Sequence, residues 1–315
     1  MALPTKNDVQ QVDEVLTNML VGYKQSDDRF VAERAFPVVP VNADSGTYYI
    51  YTKKYWFLDW FQERAPGGAF TQVDAGVSST TYKTVQWAGE TSVPDEVKAN
   101  SLVPMDQIQA KVQQLGQASL IKKEVKFAAD FMAAVWGTDG SVTAKFDSHG
   151  SSDPWKDIAD TAMRIVSNNI GVTPNVAVMG YIVHSRLMNH PDLIDRIKYT
   201  NAVTSGKMNS VLAELFGLDE WLVSKASYSN TNEGATFSAS ACIDDDILLM
   251  YRQPTPSIFS PSAGYTFSWA GCGGMGSIYY VRDPRHHVDL VQSKEAWDQK
   301  VVSSDAGYIF RDCTD

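Results

Sequence analysis

The chain has 315 residues, a formal net charge of −10, and is 44% hydrophobic and 20% charged. Those proportions describe a folded globular protein with room for a sizeable core, and they exclude a disordered polymer. The acidic balance excludes nucleic-acid binding through a basic field. No apolar run approaches a membrane span, and no basic segment precedes an apolar one at the N-terminus, so neither a transmembrane helix nor a signal peptide is expected.

The three cysteines, Cys242, Cys272 and Cys313, form no C-x-x-C pair and are odd in number. They make no disulfide framework and suit a reducing cytosol.

In chain order, Val9, Val12, Leu16 and Met19 space a short helical stripe over 8–21, too short to stand without a partner surface. In FVAERAFPVVPVN, residues 30–42, Pro37 and Pro40 favour extended chain. Its valines call for burial on the subunit's own body or on a neighbour. Residues 46–90 are rich in aromatic and β-branched side chains, from Tyr48, Tyr49, Tyr51, Tyr55, Trp56 and Phe57 onward, with a break at Pro66-Gly67-Gly68. That pattern predicts a long β-hairpin. A two-stranded hairpin is marginal in water, so its aromatics need cover from a neighbour or from a β-rich core.

A long helix is predicted over 104–136. Pro104 and Asp106 open it, and Ile108, Val112, Leu115, Ala118, Val125, Ala128, Met132 and Val135 mark its stripe, which weakens near Lys122. Gly116 marks a bend or a close approach, and Gly137 ends the helix. Residues 136–153 read as a polar loop and domain junction.

A second helix starts at Asp153-Pro154, with apolar face Trp155, Ile158, Ala162, Ile165 and Val166, and stops at Asn168–Gly171. The strand Asn175–Gly180, helices in YIVHSRLMNH, PDLIDRIKY and KMNSVLAELFGL, and a strand in WLVSKASYS alternate in α/β style. DDILLMYR, GYTFSWAG, GSIYYVRD, HVDLVQ and KVVSSDAGYIFRD then read as five late strands.

RAFPVVPV at 34–41, SGTYYIY at 45–51, LIDRIKYT at 193–200 and LAELFGLDEWLVSKASYSNTNEG at 212–234 resemble, in this order, the major capsid proteins of tailed bacteriophages. Their shared α+β architecture, the Hong-Kong-97-like fold, also builds encapsulin shells. The resemblance runs from about residue 26 to 312 and implies roles by segment. Residues 1–45 would be an N-terminal arm and 46–90 an extended loop reaching an adjacent subunit. Residues 91–152 and 275–315 would form a peripheral domain with a spine helix, and 153–274 an axial domain. Head-to-tail contacts then close into hexamers and pentamers of an icosahedral head that encloses DNA. The implied partners are further copies of the chain, a separate scaffolding protein, a portal protein and a possible decoration protein, with DNA contacted loosely. The implied location is the virion, assembled in the host bacterial cytoplasm. An encapsulin-type compartment is the alternative. The Lys-Asn crosslink of some relatives is not carried over, although Lys53, Lys54 and Lys83 lie in the loop.

Chemical motifs are sparse. His286-His287 beside Asp283 and Asp289 suggest a metal only weakly, because adjacent strand residues face opposite ways. Asp244-Asp245-Asp246 lacks a calcium-loop frame and reads as a solvated turn. His190-Pro191-Asp192 reads as a helix stop and start. Ser119 and Lys122 match a lactamase spacing without its other motifs, and GCGGMG at 271–276 lacks the Lys of a phosphate loop. No spacing pairs Cys272 with His184 or His286. No catalytic residue, cofactor or metal ligand is expected, so the chain reads as structural and not as an enzyme.

Overall fold

The computed structural model describes residues 24–51, 53–72, 76–99, 107–133, 136–198, 208–229, 231–232, 234–255, 262–272 and 275–315. The expected helix over 8–21 and the Pro104-Asp106 start lie outside them.

After a 3-10 turn at Asp27–Arg29 come helix α1 (Ala32–Ala35) and strands β1 (Val38–Val41) and β2 (Ser45–Tyr51). Helix α2 (Lys53–Trp56) opens a loop that returns as β3 (Val77–Lys83) and β4 (Val85–Pro94). Helix α3 (Asp95–Ala99) precedes the long helix α4 (Gln107–Phe131) and strand β5 (Asp139–Ser141). A π-helical stretch, Lys156–Met163, runs into α5 (Arg164–Ile170). Next are β6 (Val176–Gly180), α6 (Tyr181–Met188), α7 (Pro191–Ile197), α8 (Met208–Phe216) and β7 (Glu220–Ser224). The chain closes with β8 (Ser227–Tyr228), β9 (Ser240–Ala241), β10 (Ile247–Met250), β11 (Gly264–Trp269), β12 (Ile278–Asp283), β13 (Val288–Val301) and β14 (Gly307–Arg311).

Two five-stranded sheets organise these elements. The first has the order β1-β11-β13-β12, with β4 along the other side of β13. Its axis is the 14-residue strand β13, which pairs β4 from Val288↔Pro94 to Trp297↔Val85. The opposite edge of β13 takes β12 and then β11. The predicted arm lies on its own subunit: β1 runs parallel to β11, Val38↔Thr266 to Val41↔Trp269. Pro40 is tolerated there because β1 is an edge strand and needs no inward N–H.

The second sheet has the order β5-β14-β10-β6-β7. The continuous apolar runs VAVM and ILLM are explained by cover on both faces. Ala177, Met179, Ile247 and Leu249 point into one core with Ile158, Ala162, Leu187 and Leu212 from the helices. Val176, Val178, Leu248 and Met250 point into the other, against Phe127, Phe131 and Phe36. So the C-terminal half of α4 belongs to the second sheet, while Leu115, Ser119 and Lys122 face Gly89, Glu295 and Trp87 of the first.

Several expectations shift. Among the described residues the long helix spans 25 residues, about 37 Å, and it ends at Phe131, before the expected stop at Gly137. Its fully buried positions are Lys123, Glu124, Phe127 and Phe131, while Ala118 of the predicted stripe is exposed. The hairpin is shorter than predicted: β2 pairs β3 from Ser45↔Lys83 to Tyr51↔Val77, and β4 leaves it for the first sheet. Residues 57–72, read as the far part of the hairpin with its turn at Pro66-Gly67-Gly68, form loop, because among the described residues no second chain segment offers their backbone a ladder. HVDLVQ and KVV, read as separate strands, are one strand, because the polar residues between them are buried against α4. β5 and β14 join the helix-flanked second sheet.

Two glycines are set by geometry. Gly171 ends α5 in the left-handed region at φ 73°, bonding its N–H to the Ser167 carbonyl. Gly180 ends β6 against the Asp244 carbonyl, where a Cβ would overlap backbone.

Candidate assembly surfaces and the arm–helix junction

The hairpin of β2 and β3 packs on its own subunit at its root. Tyr48 and Tyr82 face the same side and pack on Phe267 of β11, with Tyr82 stacked at 4.5 Å between centroids. The Thr84 N–H and hydroxyl bond the Asp44 carbonyl at 2.8 and 2.9 Å. Burial, and then the Asp298 carboxylate, hold the Tyr48 phenol above its ordinary range.

Beyond this root the loop displays its aromatics. Phe61 is 94% exposed, Phe70 83% and Tyr49 67%. Arg64 lies over the Phe70 ring at 4.2 Å. The base of the loop rests on its own subunit through Lys53–Asp305 at 2.7 Å and through Phe57 beside Gly171. Large rings left in water forgo about 25 cal/mol for each Å² of apolar surface that a partner would cover. Strand β12 is a second such surface: Ile278, Tyr279, Tyr280 and Val281 are all at least 40% exposed, so both faces of this edge strand are apolar and open.

The arm is clamped to the middle of α4 by two consecutive charged residues, placed where the sequence shows a weak turn. Glu124 is fully buried. Its Oε2 accepts the Val31 and Ala32 N–H groups at 3.0 and 2.9 Å, and its Oε1 accepts the Ser224 hydroxyl at 2.6 Å. Burial pushes its carboxyl above the ordinary range, against the pull of those three hydrogen bonds. Lys123 turns the other way, to Glu33 at 2.8 Å and Glu295 at 3.3 Å. Glu295 also accepts from Ser119 Oγ at 2.8 Å, the Gly276 N–H at 2.9 Å and Trp297 Nε1 at 3.2 Å. Sequence reasoning missed this junction, whose only signal is an adjacent Lys-Glu pair at the centre of a helix otherwise flanked by apolar residues.

At the turn between β12 and β13, Arg282 bonds Asp95 and Asp289, and Lys98 also reaches Asp289. The Arg282 guanidinium holds the Asp95 carboxyl below its usual range. His286 Nδ1 meets Asp283 at 2.6 Å, and His287 occupies the left-handed region at φ 56°, so this pair shapes a turn. Asp289 is thus committed to cations.

The other motifs fall apart in the same way. Asp246 Oδ1 accepts the Asp312 N–H and the Asp245 carbonyl accepts the Cys313 N–H, making the acidic triplet part of a turn. His190 caps α7, and its Nε2 bonds Ser152 Oγ at 2.9 Å. Ser119 is used by Glu295, and Lys122 lies over the Trp87 ring at 4.3 Å. His184 Nδ1 accepts from Trp221 in the helix-flanked core, whereas Cys272 is buried in a turn after β11 of the other sheet. Among the described residues no group of three or more His, Cys, Asp or Glu is disposed to hold a metal, and no helix is long and apolar enough to cross a membrane.

The geometry is that of a chain with two cores, a helix that packs on both sheets and uncovered apolar surfaces. No family model matches the chain. A major capsid protein of the Burkholderia phage BcepMu is 28% identical, with 95% of each chain covered. The crystal structure of a phage-related protein from Bordetella bronchiseptica superposes with a TM-score of 0.65 at 26% identity, covering 93% of this chain and 94% of that one. The capsid of the cyanophage P-SCSP1u superposes at 0.57 with 13% identity, covering 95% and 93%, and a virus-like particle from Pyrococcus furiosus at 0.55 with 12% identity, covering 96% of each. These last two establish the fold alone. The chain has the Hong-Kong-97-like capsid fold, and over nearly its whole length it is similar to a phage major capsid protein.

Proposed function

We propose that copies of this chain assemble into hexamers and pentamers that close an icosahedral head around the phage genome. The observation that carries this reading is the loop after β2, whose aromatics Phe61 and Phe70 stand in water beyond the hairpin. A two-stranded hairpin of this length lacks the cover to be stable by itself, and an adjacent subunit supplies that cover.

In this reading residues up to 45 act as an arm and 46–84 as the loop that crosses to a neighbour. The first sheet with α4 forms the peripheral domain. The second sheet, now including β5 and β14, forms the axial domain around the symmetry axis. The subunit is structural and performs no catalysis. A scaffolding protein, a portal and a possible decoration protein complete the shell, which forms in the bacterial cytoplasm and ends in the virion. The chain's −10 charge keeps DNA contact loose. The shared fold of the virus-like particle leaves a compartment for protein cargo as the second reading. It requires a cargo-docking groove near the N-terminal segment.

The test is deletion of residues 50–85 and electron microscopy of the product, expressed with and without its neighbouring scaffolding gene. The full chain gives closed shells or rings, and the deletion gives a soluble subunit that forms neither. Normal shells from the deletion would overturn the loop assignment. A full chain that stays monomeric in both conditions would overturn the assembly reading itself.

A further inference from the structure

Glu124 is a buried acid without a buried cation of its own. Its three hydrogen-bond donors are neutral: the Val31 and Ala32 N–H groups on the arm and the Ser224 hydroxyl at the end of β7. The titratable and charged groups around it are otherwise engaged. On the arm, Glu33 turns to Lys123, and Lys123 is held between Glu33 and Glu295. Beyond β7, Lys225 lies over the Tyr181 ring at 5.5 Å. Near β9, the Cys242 thiol is pushed up to about 12 by burial and by the Glu124 charge, so it stays neutral. A carboxylate in this position loses its hydration and recovers only hydrogen bonds, and burial without a countercharge costs more than the bonds return.

The hydrogen-bond geometry accepts a proton without rearrangement. Oε2 receives both arm N–H groups and needs only its own lone pairs to do so. Oε1 faces only the Ser224 hydroxyl, which can turn from donor to acceptor. We propose that Glu124 is a proton-operated latch on the arm: in mild acid its carboxyl takes up a proton while keeping all three contacts, and the arm is then held more tightly than at neutral pH. The proton comes from solvent, sits on Oε1 and is donated to Ser224 Oγ. Ionisation at higher pH returns it to water.

The sign follows from linkage. Burial places the folded-state carboxyl above its ordinary value of 4.5. Between these two values the folded chain binds more protons than the unfolded one, so stability falls as pH rises through the window. The latch is strongest below it and weakest above it.

The experiment compares the full-length unassembled subunit with its Glu124→Gln variant, which mimics the protonated state at every pH. Urea midpoints are measured from pH 7.5 to 5. Glu124→Gln unfolds at the same or higher urea than the native protein at pH 7.5, and this advantage shrinks towards zero at pH 5. A difference that does not change with pH overturns the proposal. So does a variant that is less stable at pH 7.5 by the same margin as at pH 5. A second readout needs no variant: in selectively 15N-labelled native protein, the Val31 and Ala32 amide shifts move together with one midpoint above the ordinary glutamate range. Flat shifts across that range also overturn it. Both readouts use the subunit alone, so they stand or fall independently of shell formation.

Discussion

Replacing Glu295 by alanine tests how much of the subunit's stability resides where α4 meets the first sheet. The carboxylate takes hydrogen bonds from Ser119 Oγ, the Gly276 N–H and Trp297 Nε1, and pairs with Lys123, all between 2.8 and 3.3 Å. Alanine leaves three donors with no acceptor and removes one of the two carboxylates that hold Lys123. One unsatisfied buried donor costs about 1–3 kcal/mol, and removing one partner of a buried pair about 3–5 kcal/mol. These costs overlap, because Lys123 retains Glu33, so Glu295→Ala is expected to lose about 3–5 kcal/mol in total. That is a large part of the roughly 5–15 kcal/mol that holds a typical domain. Glu295→Gln keeps one carbonyl oxygen for the neutral donors and loses about 1–2 kcal/mol. Urea unfolding followed by tryptophan fluorescence reads both directly, since Trp297 is in the network. A loss below about 1 kcal/mol for the alanine variant would refute the reasoning, as would equal losses for alanine and glutamine.

Two further outcomes are expected. Gly180→Ala forces a Cβ into the Asp244 carbonyl at the end of a fully buried strand, so soluble yield collapses, whereas an alanine at Gly116, where a Cβ meets nothing, leaves it unchanged. His184 accepts a hydrogen bond from Trp221 at Nδ1, and burial, and then Lys225, push its imidazole down to about 4. Its contribution is full above about 6.5 and is lost as pH falls towards 4. The urea-midpoint difference between native protein and His184→Gln is therefore constant above pH 7 and changes across that window.

The elements that were legible in the sequence share a feature: their apolar residues face one continuous core. β6, α6, α7 and α8 fall within a few residues of expectation because Val176–Gly180, Val183, Leu187, Leu193 and Leu212 are all buried in the second sheet's layers. Legibility failed where burial is polar. Lys123 and Glu124 interrupt the stripe of α4 and read as a weak turn, yet both are buried, because Lys123 is ion-paired and Glu124 is hydrogen-bonded. Ser293, Glu295 and Asp298 split β13 into two apparent strands for the same reason. The hairpin was overextended because Trp56, Phe57 and Phe61 carry strand-forming side chains, while strand formation also needs a backbone partner. The loop's exposure was anticipated from aromatic density alone. The arm–helix junction was not, because partners 90 or more residues apart leave no local trace.

The order β5-β14-β10-β6-β7 places the last described strand inside its sheet, between a strand at Asp139–Ser141 and one at Ile247–Met250. During synthesis, then, every other part of this sheet emerges from the ribosome first and waits with a gap. Until Gly307–Arg311 arrives, β10 has an open edge, and Tyr308, Ile309 and Phe310 are missing from both cores. A nascent chain in that condition has neither a finished core nor a rigid seat for the arm. The topology thus ties completion of both cores to this strand, and a chain still lacking it carries the unfilled core and open edge through which half-made copies stick to one another.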